Sequence, residues 1–433
     1  MVRSTRGTPT CALHRHENHR AFGGSSQGSQ CILSRVSQGR NEQTIAEGSS
    51  SELPTLRVIE PNLAGPSGHY AEFIRALASR SDGIFRAIEV VAAPRAASFL
   101  PSLGSAVPVV AVALPTGPLA ELRAIHASLQ ARRRTLVLTA TALHAVAADR
   151  GAFLSRSKLG ALSMFVHWPL VKSSDRFTLA VASRVRAESL FLVPTQGVRA
   201  SLLEANCDHV AQIAYPATRA ASARLEAPFK HLLMAGAARI NKGLDVIAGL
   251  AELLARDARL AAAEGVSSSE NLLAEPPLLV QVSPKHVGKS GRDRHGARED
   301  AVVARLLAAN YRGLVADPRA PDRDEYAQRF EGALVLAPYE RAKFADGVSG
   351  VVLDALLHGA PVVATSGTWA GDVVERFDAG ISIRDRTPEA LRAAVARILG
   401  RWDLYMANAA KASELLAAEH DPRALALAIA SHG

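Results

Sequence analysis

Cysteine is scarce: Cys11, Cys31 and Cys207 are the three in the chain. An odd number without paired spacing argues against a disulfide framework and for a reducing compartment. Cys and His nowhere fall at zinc-ligand spacing, and acids nowhere gather in a calcium-type loop, so no metal site is expected. Aromatic residues make up only 5% while Ala, Leu, Val and Arg dominate, which favours helix-rich α/β packing over a sandwich or propeller. A long apolar run is missing too. The longest charge-free stretch, Ala96 to Ala120, is broken by Pro101, Pro108, Pro115, Pro118, Gly104 and Gly117, and reads as strands and turns rather than a bilayer span. No apolar segment follows the N-terminus and no internal repeat is visible, so neither a secretion signal nor a solenoid is expected, and the expected location is cytoplasmic.

What is present is length and apolar mass. The 433 residues, 48% of them apolar, fit two α/β domains with extensions. Residues 1–52, rich in Ser, Gly, Arg, Gln and His without hydrophobic periodicity, read as a disordered tail. The net charge of +9 is uneven: residues 53–222 hold 18 Lys/Arg against 10 Asp/Glu, and residues 223–404 hold 24 of each. That excess, with the run Arg132-Arg133-Arg134, suits a phosphate-bearing acceptor or peripheral contact with an anionic membrane at its inner face. Nucleic acid is not an expected partner, because no aromatic residues interleave with the basic ones.

Periodicity predicts two Rossmann-like domains. In the first, about 53–222, the strand Leu56–Glu60 leads through a loop containing Gly65 and Gly68 into a helix from His69, and further strands are expected at Ile88–Ala92, Pro108–Ala113, Thr135–Thr139, Leu162–His167 and Leu190–Pro194. In the second, about 223–404, strands are expected at His231–Ala235, Pro277–Val282, Gly313–Ala316, Gly332–Ala337 and Pro361–Ala364, with helices at 243–256, 299–309 and 350–358. A helical segment, 405–433, is expected to return to the first domain.

The densest chemical signal is the stretch Ala345 to Thr365. Ser349 is placed to cap a helix starting at Gly350, and Gly347 and Gly350 allow close approach to the backbone. The free N–H groups there, around Ser349, Gly350 and Val351, suit a diphosphate. Asp346 precedes the helix and Asp354 lies about one turn inside it, so both carboxylates can face one cleft and accept hydrogen bonds from sugar and ribose hydroxyls. Upstream, a strand ends in Gly236 and a helix starts after Lys242-Gly243. The turn between them carries Arg239 and Lys242 to the carboxyl edge of the sheet, where two cations can neutralise a departing diphosphate.

These motifs resemble those of the family 4 glycosyltransferases of the GT-B fold. The family carries Glu-x7-Glu followed by Ala-x-x-x-Gly-x-Pro-Val-Val-Ala; here Asp346-x7-Asp354 precedes Ala355, Gly359 and Pro361-Val-Val-Ala364. It also carries Gly-Arg-x4-Lys-Gly, where this chain has Ala237 after Gly236 and its Arg two residues later, at Arg239. The resemblance implies two facing Rossmann-like domains with a cleft between them, a nucleoside diphosphate sugar as donor substrate, a glycan or lipid-linked acceptor, no cofactor, and metal-independent transfer with retention of anomeric configuration. It implies that Asp346 contacts the donor sugar, Asp354 the ribose, and Arg239 and Lys242 the diphosphate. Gly65 and Gly68 are similar to the family's Gly-rich loop between donor and acceptor. His167, ending Met164-Phe-Val-His-Trp-Pro169, is similar to a strand-end His near the reacting sugar.

Two other classes share some of these features. A catalytically inactive GT-B binding protein would have the same fold. A P-loop NTPase is suggested by Gly288-Lys289-Ser290 after an apolar strand, but Ser283 stands where the motif's first glycine belongs and the segment that follows lacks a helical pattern.

Overall fold

The structure, a computed structural model, describes residues 53–63, 65–117, 119–155, 160–170, 172–220, 223–263, 275–287, 292–294 and 296–432. The expected tail 1–52, with Cys11 and Cys31, and the tripeptide Gly288-Lys289-Ser290 lie outside the described residues.

Two parallel sheets organise the chain. The first contains β1 (Thr55–Ile59), β2 (Ala87–Ala92), β3 (Val109–Ala113), β4 (Arg134–Val137), β5 (Leu162–Phe165), β6 (Leu190–Val193) and β7 (Val210–Gln212), in the order β3-β2-β1-β4-β5-β6-β7. After it come β8 (His231–Met234) and β9 (Leu278–Gln281), then a separate hairpin of β10 (Lys285–Val287) and β11 (Arg292–Arg294). With β12 (Leu314–Asp317), β13 (Ala333–Ala337), β14 (Val362–Thr365) and β15 (Gly380–Ile383), the second sheet runs β12-β9-β8-β13-β14-β15. Its central strand β13, Ala-Leu-Val-Leu-Ala, is buried along its whole length, as a parallel strand covered by helices on both faces must be.

Each sheet has a core on its outer face, one built around Ile125, Met164 and Phe191 and the other around Leu250, Val280 and Ile398. A third core joins the inner faces of both lobes, taking Phe73 and Phe165 from the first and Leu233, Val335 and Leu356 from the second. Two C-terminal helices complete it. Trp402–Glu419 packs on the helix Gly350–Leu357, where Ser413 Oγ donates to Leu357 O at 2.7 Å. The chain then crosses to the first lobe at His420-Asp421. There Arg80 pairs with Asp421 at 3.0 Å, and the helix Pro422–Ser431 lies against His69–Ser79.

The edge strands β7 and β15 were not among the expected strands; both are only partly buried and carry no run of buried apolar residues. After β9 the chain enters the antiparallel strands β10 and β11, whereas a P-loop leads into a helix, which agrees with setting the P-loop reading aside.

Candidate functional site

The loop after β8 is fixed before any side chain is considered. Gly236, at φ 84°, donates its N–H to Gln281 Oε1 at 2.9 Å, and Gln281 in turn donates to Ser283 Oγ at 2.7 Å. A single 3-10 turn, Ile240–Lys242, ends at Gly243, φ 95°, where a Cβ would come within 2.5 Å of Pro338 Cγ. From the far side Arg386 donates to Ile240 O at 2.6 Å and to Pro338 O at 2.8 Å, and pairs with Asp245.

This rigid turn presents Arg239 and Lys242. Lys242 Nζ lies 5.9 Å from the centre of the Tyr339 ring and 3.4 Å from where a Gly236 Cβ would be. Neither cation forms an ion pair among the described residues, and Arg239 Nε and Asn241 Oδ1 are buried without a partner. Burial, reinforced by the charge of Arg239, brings the Lys242 ammonium down to about 7. Burial also lowers Arg239.

The start of the helix Gly350–Leu357 closes the same face. Ser349 Oγ accepts from Val352 N at 3.3 Å, as an N-cap does, and donates to Tyr339 Oη, 3.3 Å away. Val351 Cγ2 stands 3.2 Å from the Gly236 Cβ position, so this helix start abuts the cationic turn, and the space a Gly350 Cβ would enter is open. Arg239, Lys242, Ser349, Gly350 and Val351 are therefore brought together.

The two aspartates have different surroundings. The Asp346 carboxylate crosses the cleft and rests on Gly197, in the first turn of the first-lobe helix Gln196–Glu204, where any Cβ would overlap it. Thr195 Oγ1 donates to Asp346 O at 2.9 Å, and Trp168 covers Gly347 at 3.8 Å from its Cβ position. Asp354 instead accepts from Tyr326 Oη at 3.1 Å. Burial first, then the nearby Glu72, raise its carboxyl to about 7. Because an unfolded carboxyl titrates near 4, the folded chain holds a proton that the unfolded chain has lost, and stability falls as pH rises from about 4 through 7. Asp354→Asn, whose amide oxygen still accepts from Tyr326, is expected to raise the melting temperature at about pH 8, to change it little at about pH 5, and to weaken donor use. Equal melting temperatures at the higher pH would remove the buried-carboxyl assignment.

Across the cleft, Gly68 at φ 91° precedes the helix His69–Ser79, and Gly65 and Gly68 both face open space on their Cβ side. His69 Nδ1 lies 3.0 Å from Tyr215 Oη, and its ring centre is 5.1 Å from that of His167. Desolvation by its surroundings and the charge of Lys242 lower His69 to about 4, so the Gly68-His69 corner lies within electrostatic reach of the cationic turn. His167 sits deeper, 5% exposed, with Nε2 donating to Leu138 O at 2.9 Å. Burial and His69 hold it near 3, so it is a neutral imidazole with only Nδ1 unengaged. The more accessible imidazole is His69, which the sequence reading did not single out, although its place directly after Gly68 was a usable signal. Tyr339, Tyr326 and Thr195 were missed as well.

The fold these elements define is GT-B: two Rossmann-like lobes facing each other across a cleft, closed by a C-terminal helix on the first lobe. No protein-family model matches the sequence, and no curated protein sequence does. Solved structures share the fold over 87% of this chain. Sucrose-phosphate synthase from Thermosynechococcus elongatus matches over 97% of its own length with 13% identity and a TM-score of 0.59. Alr3699/HepE of Anabaena, solved in complex with UDP-glucose, matches over 98% with 14% identity and a TM-score of 0.58. WaaG, a glycosyltransferase involved in lipopolysaccharide biosynthesis, matches over 98% with 14% identity and a TM-score of 0.53. At such identities the likeness is one of fold, and the chemistry rests on the residues. Among the described residues no helix is long and apolar enough to cross a membrane.

Proposed function

We propose that this chain is a retaining glycosyltransferase of the family 4 type, moving a sugar, most simply a hexose, from a nucleoside diphosphate sugar to a glycan or lipid-linked acceptor. One observation carries the reading: two half-buried cations with no ion-pair partner among the described residues, Arg239 and Lys242, converge beside a capped helix start. A partly desolvated charge without a partner is costly, and a bound diphosphate supplies the missing anion. As the bond between the anomeric carbon and the diphosphate oxygen breaks, negative charge grows on the leaving group. Arg239, Lys242 and the N–H groups at Gly350 and Val351 are already aimed at it. These groups do the work that a metal does elsewhere, so transfer is expected to survive chelation. The donor occupies the second lobe, with Asp354 serving the ribose, Asp346 the sugar, and the acceptor entering past Gly65, Gly68 and His167.

Asp346 also supports a second reading, a GT-B protein that binds without transferring, because its carboxylate is engaged with the first lobe. One experiment addresses both. Uridine, guanosine and adenosine diphosphate sugars are screened by thermal shift, and the stabilising donor is then followed for sugar release or transfer, with and without EDTA. Stabilisation by one donor with EDTA-resistant turnover is the expected result. Stabilisation without turnover on any acceptor selects the binding protein, and no stabilisation by any nucleotide sugar defeats both.

A further inference from the structure

Four of the first lobe's arginines gather at the amino edge of its sheet, at the other end of the strands from the cleft. Strands β2, β1, β4 and β5 start side by side there, because each pairs in parallel with the next. Thr55, Arg86, Arg134 and Ala161, at or just before the starts of these strands, and the turn Ala131 to Arg133 line a pocket of about 390 Å³ with no acid among its described lining residues. Three of the four arginines are held in place rather than free. Arg134 donates to Ile429 O at 2.6 Å, at the end of the last helix, and Arg86 Nε donates to Thr55 Oγ1 at 2.8 Å. Arg133 reaches Glu89 at 3.3 Å, but that carboxylate already pairs with Arg57 at 2.5 Å. Arg132 takes a left-handed φ of 51°, a conformation that costs a non-glycine residue energy, and its exposed guanidinium has no partner among the described residues.

Cations often gather at such an edge because helices end there with their carbonyls outward. That accounts for Arg134, which caps the last helix; Arg86, Arg132 and Arg133 line the same pocket, and among the described residues Arg86 and Arg133 each use one side-chain nitrogen and Arg132 none. Several guanidinium groups converging with one shared acid match a phosphate monoester dianion, whose oxygens accept paired N–H bonds. A volume near 390 Å³ leaves room for the body attached to the phosphate.

We propose that this pocket is a second, non-catalytic site that binds the phosphate group of a phosphorylated sugar or of a phosphomonoester lipid headgroup. The site is independent of the transferase reading, since it shares no residue with the cleft.

The test uses the full chain, the Lys242→Ala chain, in which the cleft's phosphate contact is removed, and the double variant Arg132→Gln/Arg133→Gln, which leaves the Arg134 anchor intact. Each is titrated with glucose 6-phosphate against glucose at matched ionic strength, and each is sedimented with phosphatidylcholine vesicles with or without phosphatidic acid. The expected result is that wild type and Lys242→Ala bind at least one phosphate source equally well. The double variant should bind it roughly tenfold or more weakly while keeping its melting temperature. Binding to the sugar phosphate alone identifies a soluble ligand, and binding to the vesicles identifies the headgroup. If wild type binds neither, or if the double variant binds as wild type does, the proposal is wrong.

Discussion

Lys242→Ala is expected to weaken nucleoside diphosphate binding by roughly tenfold to a hundredfold, and Lys289→Ala to leave it unchanged. A charge-assisted contact to phosphate is worth about 1.5–3 kcal/mol, and Lys242 is set for one by a turn that Gly236, Gln281, Gly243 and Arg386 hold rigid. Proton linkage adds a signature. With Lys242 near 7 in the empty site, a bound diphosphate raises it, so binding draws a proton from solution. Affinity should therefore fall as pH rises above about 7, until the pKa of the occupied site is passed, and Lys242→Ala should flatten that slope. Isothermal titration in buffers of differing ionisation enthalpy reads both the affinity and the proton uptake. A P-loop NTPase would show the opposite order of variants and a magnesium requirement, because its Ser290 would hold the ion. If Lys289→Ala alone abolishes binding, the glycosyltransferase reading falls with it.

Lys242 was legible in the sequence because the contacts that place it are local. A strand, a glycine turn and a helix within thirteen residues, Leu232 to Leu244, fix where it points. The Ser349 cap and Gly350 were legible for the same reason. Arg239 required more, since its displacement from Gly236 asks for a reshaped turn. In the turn that carries it, Ala238 N bonds to Ser283 O at 3.0 Å, Arg239 is extended at φ −145°, and the helical turn begins only after it. What could not be read was whatever depends on the two lobes meeting. The seat of Asp346 on Gly197 joins residues about 150 apart in sequence, as does the hydrogen bond from Thr195 to Asp346. The position of the charge was also hidden. The sequence counts the excess cations of the first half, but only the strand order sends Arg86 and Arg132 to Arg134 to the amino edge, away from the cleft.

Gly197→Ala is expected to lower turnover by about one to two orders of magnitude while leaving nucleotide affinity nearly intact. The space at Gly197 is filled by the Asp346 carboxylate, so even one methyl group must displace either the carboxylate or the lobe that carries it. Overpacking of this kind costs about 1–3 kcal/mol, which at roughly 1.4 kcal/mol per decade gives the stated loss if it falls on the closed, reactive arrangement. The groups proposed to hold the nucleotide, Lys242, Arg239, Ser349 and Asp354, all lie on the second lobe and touch Gly197 nowhere. Binding and turnover should therefore separate, as they do when a substitution acts on closure rather than on the ligand. Small-angle scattering should show the variant more extended than wild type with donor present. Adding Asp346→Ala to Gly197→Ala should restore the compact form by removing the clashing carboxylate, yet leave turnover low, because that carboxylate is also proposed to orient the sugar. Wild-type turnover in Gly197→Ala would show that the lobes do not need this contact, and loss of nucleotide binding together with turnover would show that the substitution damages the fold instead.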